Sequence, residues 1–371
     1  MNNSQKVFQL GQSIWYDNIQ RKLLENGELS RMISEGLIYG VTSNPSIFNN
    51  AIAKTDDYDE DLLPLLAKGK QPLEIFESLA VADIQEACDL FAGVYQSTGG
   101  QDGFVSLEVN PTLANNTEKT CDEVLRLWQL VNRPNLMIKI PATLEGIPAV
   151  ERSIAEGVNV NITLIFSQKR YEKVMEAFLT GLERRVEAGK PLNHIASVAS
   201  FFVSRMDTKV DNRLDAIIAN GGEKASKAEK LKGKSAIANA KLAYEEFLNV
   251  FSSERFRELK SRGGNIQRPL WASTSTKNPA YPDTLYVDNL IGPNTVNTVP
   301  PRTLEAFNDH GSVATTIESD LPREREILVS LEDIGISLQN VTDELEEEGV
   351  ASFSKSFESL LKSIDDRRTD I

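Results

Sequence analysis

The chain has 371 residues, 40% hydrophobic and 25% charged, with a formal net charge of −14 and a sequence pI near 4.9. This acidic balance argues against nucleic acid and anionic membrane surfaces as partners, because both select for basic faces. The sequence has two histidines and two widely spaced cysteines, which argues against a zinc site. So few cysteines also fit a protein of the reducing cytoplasm. The amino terminus has no signal-peptide pattern and no run is long enough to span a membrane, so we expect a cytoplasmic protein without metal.

In chain order, short apolar runs alternate with longer amphipathic stretches, which is typical of repeated β-α units. We predict eight strands, at residues 13–17, 37–43, 103–109, 136–142, 158–166, 195–203, 269–274 and 284–290. Helices are predicted between them, for example at residues 73–91, 117–130 and 168–188. The count predicts a single (β/α)8 TIM barrel domain over residues 1–371, with a doubly wound open sheet as the alternative.

Two stretches exceed the plain barrel pattern. Residues 206–264 are too long for one connection and predict a solvated helical excursion, not a nucleic-acid patch. Near the carboxyl end, apolar residues recur at helical spacing behind an acidic run, which predicts an amphipathic helix at about residues 352–365 that packs on the body of the protein.

Several predicted strands carry one polar face. Side chains alternate with period two, so Ser106 and Glu108 share a face opposite Val105 and Leu107. Parallel strands buried on both sides should instead be apolar throughout. A solvated antiparallel face is the alternative, but the intervening helices disfavour it. We therefore expect a polar cluster inside the barrel, toward the carboxyl ends of the strands where barrel active sites lie.

Lys139 lies within the apolar run LMIKIPA of the fourth predicted strand. A buried ammonium is costly to desolvate, so such a lysine is paired or loses its proton, and a lysine with a lowered pKa can form a Schiff base with a carbonyl. An edge-strand lysine that prevents aggregation is the alternative.

Schiff-base chemistry also needs proton-handling groups and groups that orient hydroxyls. At neighbouring strand ends, Glu108, Thr163 and Asp17 can handle protons. Asn44, Asn161 and Ser200 can hydrogen-bond sugar hydroxyls.

Two segments have the composition of a phosphate site. Arg205 closes SFFVSR after the sixth strand, and WASTSTK, which contains Ser273 and Lys277, leaves the seventh. Barrels often hold phosphate at this end with hydroxyls, backbone N–H groups and a cation. The alternatives are a salt bridge from Arg205 to Asp207 or Asp211, and an ordinary polar loop. No Walker loop, GxGxxG or HExxH motif is present in the sequence.

Taken together, six segments resemble the transaldolase family in the family's own order: GVTSNPSIF, VSLEVNP, LMIKIPATLEGIPA, VNVNITLIFS, VASFFVSRMD and WASTSTKNP. They span nearly the whole chain, and its length and the WASTSTKNP region resemble the longer bacterial and plant-type branch. The resemblance implies a class I aldolase-type barrel without metal or organic cofactor. It implies transfer of a dihydroxyacetone unit between sugar phosphates in the pentose phosphate pathway, by a monomer or homodimer.

By matching position, the resemblance implies a role for each candidate residue. Lys139 would form the Schiff base, Glu108 and Thr163 would move protons through a water, and Asp17 would take the C4 hydroxyl proton. The remaining candidates would bind substrate: Asn44, Asn161 and Ser200 the dihydroxyacetone hydroxyls, and Arg205 with Ser273 the phosphate. Shorter transaldolases have an arginine where this chain has Ser275, and Lys277 is expected to supply the missing charge.

Three other functions remain open from the sequence. A class I fructose-6-phosphate aldolase would use the same lysine and release free dihydroxyacetone. A non-enzymatic barrel could serve as a binding or assembly module. Metal-dependent aldol chemistry is disfavoured by the scarcity of histidine.

Overall fold

The computed structural model describes residues 1–370. Within that range the strands are β1 Gln12–Tyr16, β2 Val105–Glu108, β3 Leu136–Pro141, β4 Val160–Ile165, β5 Ser197–Phe202, β6 Gln267–Ala272 and β7 Thr295–Val299. The helices are α1 Asn3–Gln9, α2 Arg21–Glu25, α3 Glu28–Ser34, α4 Pro45–Ala53, α5 Asp59–Ala67, α6 Pro72–Ser97, α7 Thr117–Val131, α8 Gly146–Glu156, α9 Gln168–Glu187, α10 Ser204–Ala219, α11 Glu223–Leu231, α12 Ser235–Phe251, α13 Glu254–Ser261, α14 Leu285–Asn289, α15 Pro301–His310, α16 Leu321–Asp333 and α17 Leu338–Asp366. Two 3₁₀ helices are Pro111–Leu113 and Arg367–Asp370. No helix in the described range is long and apolar enough to cross a membrane.

The strands form one curled parallel sheet in the order β1-β7-β6-β5-β4-β3-β2. Its two edge strands, β1 and β2, both contact the segment that follows α3. There Val41 forms parallel bridges to Tyr16 and to Val105. The Tyr39 N–H also donates to the Ile14 carbonyl at 2.8 Å. The protein is therefore an α/β fold with a curled, seven-stranded parallel sheet that resembles half of a TIM barrel. A short extended segment contacts both edges of this sheet.

The eighth predicted strand, at residues 284–290, is wrong. That segment contains helix α14, and the last strand is β7, which the prediction omitted. Thr284 Oγ1 donates to Asp288 Oδ2 at 2.8 Å, four residues along, and buried Tyr286 and Leu290 also share this helical spacing. A short apolar run has no periodicity that separates strand from helix, so the error follows from the length of the segment.

The outer helices pack an apolar stripe onto the sheet, as α7 illustrates. Its Asn116 cap accepts a hydrogen bond from the Lys119 N–H at 3.0 Å, which satisfies one free donor of the first turn. Val124, Leu127 and Val131 recur at helical spacing and are buried. Each such side chain contributes roughly 1.5–3 kcal/mol by leaving water. A charged residue at Val124 would therefore detach this helix.

The two predicted additions are helical. Helices α10 to α13 lie between β5 and β6, and α17 begins before residue 352, at Leu338. Helix α17 crosses the carboxyl ends of the strands and packs on α4, where Ser356 Oγ lies 2.8 Å from Ser46 Oγ. Gly349 lies so close to Leu164 of β4 that an added Cβ would be 2.9 Å from its Cδ2. The helix therefore forms a wall over the ends of the strands.

Candidate active site

Lys139 lies on β3, an interior strand next to the edge strand β2. Strand β3 has β2 on one side and β4 on the other, and Lys139 pairs in register with Glu108 and with Asn161. Its side chain is 6% exposed, and its Nζ donates to the Ser43 carbonyl at 2.9 Å. The amine also lies 3.4 Å from Glu108 Oε2. The edge-strand alternative is therefore wrong, because the amine is buried beside a carboxylate.

Two carboxyl groups near this lysine, the buried Glu108 and the half-buried Asp17, hold protons more readily than fully exposed ones. Burial raises the pKa of Glu108, opposed by Lys139 and reinforced by the charge of Asp17. Burial also raises the pKa of Asp17, although Thr42 Oγ1 donates to Asp17 Oδ1 at 2.7 Å and two lysines lower it. A carboxyl with a raised pKa is suited to exchange protons with a substrate near neutral pH.

Two buried polar atoms in this cluster have unused hydrogen-bonding capacity. Among the described residues, Thr163 Oγ1 has no hydrogen-bond partner, and Glu108 Oε2 has only its 3.4 Å ion pair with Lys139 Nζ. Buried polar groups are nearly always paired, so an orphaned atom calls for a bound water or a catalytic role. Both atoms belong to strands that flank Lys139, so they are placed to accept a proton from the amine and to return one.

A cavity of about 210 Å³ opens beside the amine at the carboxyl ends of the strands. Its lining residues are Asp17, Thr42, Asn44, Ser46, Lys139, Thr163, Ser200, Phe202, Arg205, Ala272, Ser273, Ser275, Lys277, Thr298, Pro300 and Phe353. Eight of the ten predicted site residues are among them. The other two, Glu108 and Asn161, contact the cavity through Lys139 and Ser200. The structure thus brings all ten predicted residues into one site.

The neutral candidates are held by local hydrogen bonds. Ser200 Oγ donates to Asn161 Oδ1 at 2.7 Å, and Asn161 Nδ2 donates to Ser106 Oγ at 3.0 Å. Asn44 caps α4, since its Oδ1 accepts from the Ile47 N–H at 3.0 Å, and the same side chain lines the cavity. These bonds fix rotamers that would otherwise be mobile, so substrate hydroxyls would meet preoriented groups.

Arg205, Ser273 and Lys277 form the outer end of the cavity, here called the mouth. Asp207 and Asp211 bind other partners, and in the described residues no salt bridge joins either of them to Arg205, so the salt-bridge alternative is wrong. Burial lowers the pKa of Arg205. Lys277 is exposed as a residue, but partial desolvation of its amine, and then the Arg205 charge, lowers its pKa. Two cations that line one cavity suit a dianion such as a phosphate.

Two residues beside the cavity have left-handed backbone conformations that non-glycine residues rarely adopt. Leu164, with φ of 61°, follows Thr163 where the pairing of β4 with β5 shifts register. Ser273 has φ of 56°, and its Oγ lies 2.9 Å from Ser204 Oγ. Such strain persists where surrounding contacts determine the backbone, and it is concentrated at functional sites.

Several lining residues were missed by the sequence reasoning. Thr298 lies on the omitted strand β7, and its Oγ1 is 2.6 Å from Thr42 Oγ1. The β-branched residues of its TVNTV segment were the available signal. Phe353 of α17 places its ring centroid 6.0 Å from Lys139 Nζ. Its helical spacing predicted burial, but nothing local predicted which surface it would cover.

The remaining metal-binding residue types lie away from the cavity. Among the described side chains, no group of three or more His, Cys, Asp or Glu residues is placed to hold a metal ion. His194 lies after α9, where burial and Arg185 lower its pKa, and exposed His310 pairs with Asp283 at 2.9 Å. Cys88 is a buried residue of α6, and burial raises the pKa of its thiol.

Comparison with known proteins agrees with the geometry. The sequence profile of the transaldolase/fructose-6-phosphate aldolase family matches residues 14–364. A transaldolase of Trichodesmium erythraeum is 47% identical over 370 residues, which cover 99% of this chain and 97% of the relative. A transaldolase of Saccharopolyspora erythraea is 48% identical over 363 residues, which cover 98% and 96%. The chain belongs to the transaldolase/fructose-6-phosphate aldolase family.

Proposed function

We propose that this protein is a transaldolase of the pentose phosphate pathway. It transfers a dihydroxyacetone unit from sedoheptulose 7-phosphate or fructose 6-phosphate to glyceraldehyde 3-phosphate or erythrose 4-phosphate. One observation carries the proposal: the buried Lys139 amine lies 3.4 Å from Glu108 and faces a cavity whose mouth carries two cations. The family membership and the names of the relatives support the same activity.

In the first step, the Lys139 ammonium gives one proton to Glu108, and the free amine adds to the ketose carbonyl. A water held by Thr163 then carries a proton from the nitrogen to the oxygen, which gives the carbinolamine. Glu108 returns its proton to the carbinolamine hydroxyl, which leaves as water, and a protonated imine forms. The raised pKa of Glu108 and the unused hydrogen-bonding capacity of Glu108 Oε2 and Thr163 Oγ1 support these roles.

In the second step, Asp17 takes the proton of the C4 hydroxyl. The C3–C4 bond breaks, its electron pair moves into the protonated imine, and the aldose phosphate leaves as an aldehyde. The product on Lys139 is a neutral enamine, so no bare carbanion forms. A second aldehyde then adds by the reverse of these steps. This role is supported because Asp17 lines the cavity and desolvation raises its pKa.

The remaining residues bind substrate in this proposal. Asn44, Asn161 and Ser200 hold the hydroxyls of the dihydroxyacetone unit, with Asn161 acting largely through Ser200, which donates to it. At the mouth, Arg205, Ser273 and Lys277 bind the phosphate. Lys277 lines the cavity two residues after Ser275, so it can supply the charge that the shorter transaldolases take from an arginine.

A fructose-6-phosphate aldolase would use the same lysine but let a proton reach the enamine. The aromatic rings of Phe202 and Phe353 line the cavity, and Phe353 lies on the helix that covers the strand ends. Apolar walls that exclude water favour retention of the enamine, and thus transfer. Fructose 6-phosphate without an acceptor separates the two functions, because steady release of free dihydroxyacetone would favour the aldolase.

We also propose a complete (β/α)8 barrel in which residues 39–42 are the eighth strand. Their backbone hydrogen bonds to segments on both sheet edges support this assignment. On this proposal residues 1–371 form a single cytoplasmic domain, with a helical excursion at 206–264 and a carboxyl-terminal helix that includes 352–365. Monomer and homodimer remain the two candidate assemblies.

Borohydride reduction in the presence of fructose 6-phosphate tests the proposed function. An imine at Lys139 would be fixed as a stable adduct on the peptide that contains it. The adduct should be absent from Lys139→Met, whereas Lys241→Met, which changes a second buried lysine, should keep it. An adduct at another lysine, or none, would refute the Schiff-base role and leave the non-enzymatic barrel as the better account.

A further inference from the structure

The two cations of the mouth are carried by different parts of the chain. Arg205 lies in the first turn of α10, and Lys277 lies in the loop between β6 and α14. In the described residues neither takes part in a salt bridge, and the Arg205 charge lowers the pKa of Lys277. Like charges repel, so a structural element must hold the Lys277 loop against α10 in the absence of an anion.

Helix α10 itself is firmly anchored. Asp207 is 1% exposed, and its Oδ1 accepts from Ser235 Oγ at 2.7 Å and from the Ala236 N–H at 2.8 Å. Its Oδ2 accepts from Tyr286 Oη of α14 at 2.9 Å. Three hydrogen bonds to one buried carboxylate fix the turn that carries Arg205, so the arginine side of the mouth is preset.

The Lys277 loop contacts α10 on both sides of the lysine. Before Lys277, the Ser273 carbonyl accepts from the Ser204 N–H at 2.9 Å. After it, Lys277 and residues 279–280 and 282–283 are exposed, and Tyr281 provides the contact with α10, because its Oη donates to Asp211 Oδ2 at 2.6 Å. The other oxygen of Asp211 accepts from the Gly233 N–H at 3.0 Å. Tyr281 therefore links the lysine side of the mouth to the helix that carries the arginine.

The ring of Tyr281 also packs closely against a glycine. It lies against Gly233, where an added Cβ would be 2.7 Å from Tyr281 Cζ. Gly233 has φ of 67°, so this position requires glycine both for backbone conformation and for the close approach of the ring. Burial and the hydrogen bond to Asp211 raise the pKa of Tyr281, so the hydroxyl remains a donor at neutral pH.

We propose that Tyr281 and Asp211 are positioning residues for phosphate binding, because their hydrogen bond holds Lys277 opposite Arg205. This inference depends on the proposed function in one respect, which is that the ligand is a sugar phosphate. The Tyr281–Asp211 hydrogen bond would favour phosphorylated substrates and would not change the chemistry at Lys139.

Tyr281→Phe tests the proposal, because it removes one hydroxyl and keeps the ring. KM for glyceraldehyde 3-phosphate should rise about tenfold, the lower end expected for the loss of one hydrogen bond to a charged group. KM for unphosphorylated glyceraldehyde and kcat with either acceptor should stay within about twofold of the unchanged protein. A matched control is Tyr244→Phe, whose lost hydroxyl donates to the Pro293 carbonyl, next to Gly11 before β1. An equal rise in KM for both acceptors, or the same effect from Tyr244→Phe, would refute it.

Asp211→Asn provides a second variant. If the two residues act through one bond, the double variant Tyr281→Phe/Asp211→Asn should raise KM for glyceraldehyde 3-phosphate no more than the larger single effect. Independent, multiplying effects would contradict the proposal.

Inorganic phosphate separates this inference from the proposed function. Phosphate should raise the thermal midpoint of the unchanged protein and of Tyr244→Phe, and raise it less for Tyr281→Phe. A protein without transferase activity that still shows this difference would overturn the proposed function alone. Equal phosphate stabilisation of all three proteins would overturn the positioning role, whatever the activity.

Discussion

Among the described residues, two buried lysines, Lys139 and Lys241, have buried carboxylate partners, and the two pairs differ in what surrounds them. Lys139 Nζ lies 3.4 Å from Glu108, with side chains 6% and 5% exposed. Lys241 of α12 lies 3.3 Å from Glu324 of α16, with side chains 4% and 11% exposed. By distance and burial the two pairs are nearly equivalent.

The difference lies in the hydrogen bonds and in the space beside each pair. Lys241 Nζ donates to the carbonyl and to the Oγ of Ser319 as well as to Glu324, so its three donors are all used. Lys139 donates to one carbonyl, Glu108 Oε2 has no hydrogen bond in the described residues, and the cavity lies beside them. Burial alone therefore does not separate the two lysines, whereas the unused hydrogen-bonding capacity of Glu108 and the adjacent cavity do.

Replacement of each lysine by methionine should give the largest contrast. Lys139→Met should lower kcat by on the order of 10⁴-fold, because it removes the nucleophile. Lys241→Met should keep kcat per folded molecule but lower the free energy of unfolding by about 3–5 kcal/mol, because it strands a buried carboxylate. Steady-state kinetics and urea unfolding measure the two effects. Substantial turnover by Lys139→Met would remove the distinction between the pairs.

The carboxylate partners should differ in the same way. Glu108→Gln should slow imine formation roughly 10²-fold, because the amide cannot exchange the proton, while substrate binding changes little. Glu324→Gln should leave the rate of imine formation unchanged. Rapid mixing with fructose 6-phosphate, followed by borohydride quenching, measures these rates. If Glu108→Gln changes only KM, its proton-handling role is wrong.

The pH dependence should also distinguish the Lys139 site. Burial raises the pKa of Asp17, and a proton acceptor must be ionised, so kcat/KM should fall as pH decreases through a value above the usual range for aspartate. The folded protein then binds more protons than the unfolded chain between the unfolded and the folded pKa. The contribution of Asp17 to the free energy of unfolding therefore decreases as pH rises through that window.

Asp17→Asn provides the check on both effects. Its residual activity should lack the acid limb, and its unfolding free energy should decrease less as pH rises across the same window. An unchanged acid limb in this variant would assign the titration to another group.

Lys277→Ala should give the smallest effect. KM for phosphorylated donors should rise several-fold because one of two cations at the mouth is lost, with kcat nearly unchanged. Lys260→Ala is a suitable control, because Lys260 lies on α13, apart from the residues of the mouth. If KM stays constant in Lys277→Ala, Lys277 is an ordinary loop residue.

The proximity of the catalytic candidates could be predicted from the sequence, because the alternation of side chains along a strand is a local property. Period-two alternation places Lys139 and Glu108 on one face, and parallel pairing then sets them side by side. The resemblance to a family supplied the roles, which alternation cannot. The same reasoning failed at residues 284–290, where a short apolar segment fits strand and helix equally well.

Other parts of the site depend on tertiary packing and could not be predicted. Phe353 belongs to a helix whose spacing predicts a buried face, but the surface it covers depends on where α17 packs against α4 and β4. The Tyr281–Asp211 bond joins residues that are 70 positions apart, on two segments without a shared periodic pattern. Such contacts have no local signal in one sequence.

The position of α17 has a consequence for biosynthesis. The described strands and Lys139 precede this helix in the chain, yet Phe353 forms part of the wall around the amine. During synthesis the sheet can therefore form before α17 has left the ribosome, and until α17 packs the amine stays open on one side. The wall around Lys139 is complete only once the residues of α17 have been translated.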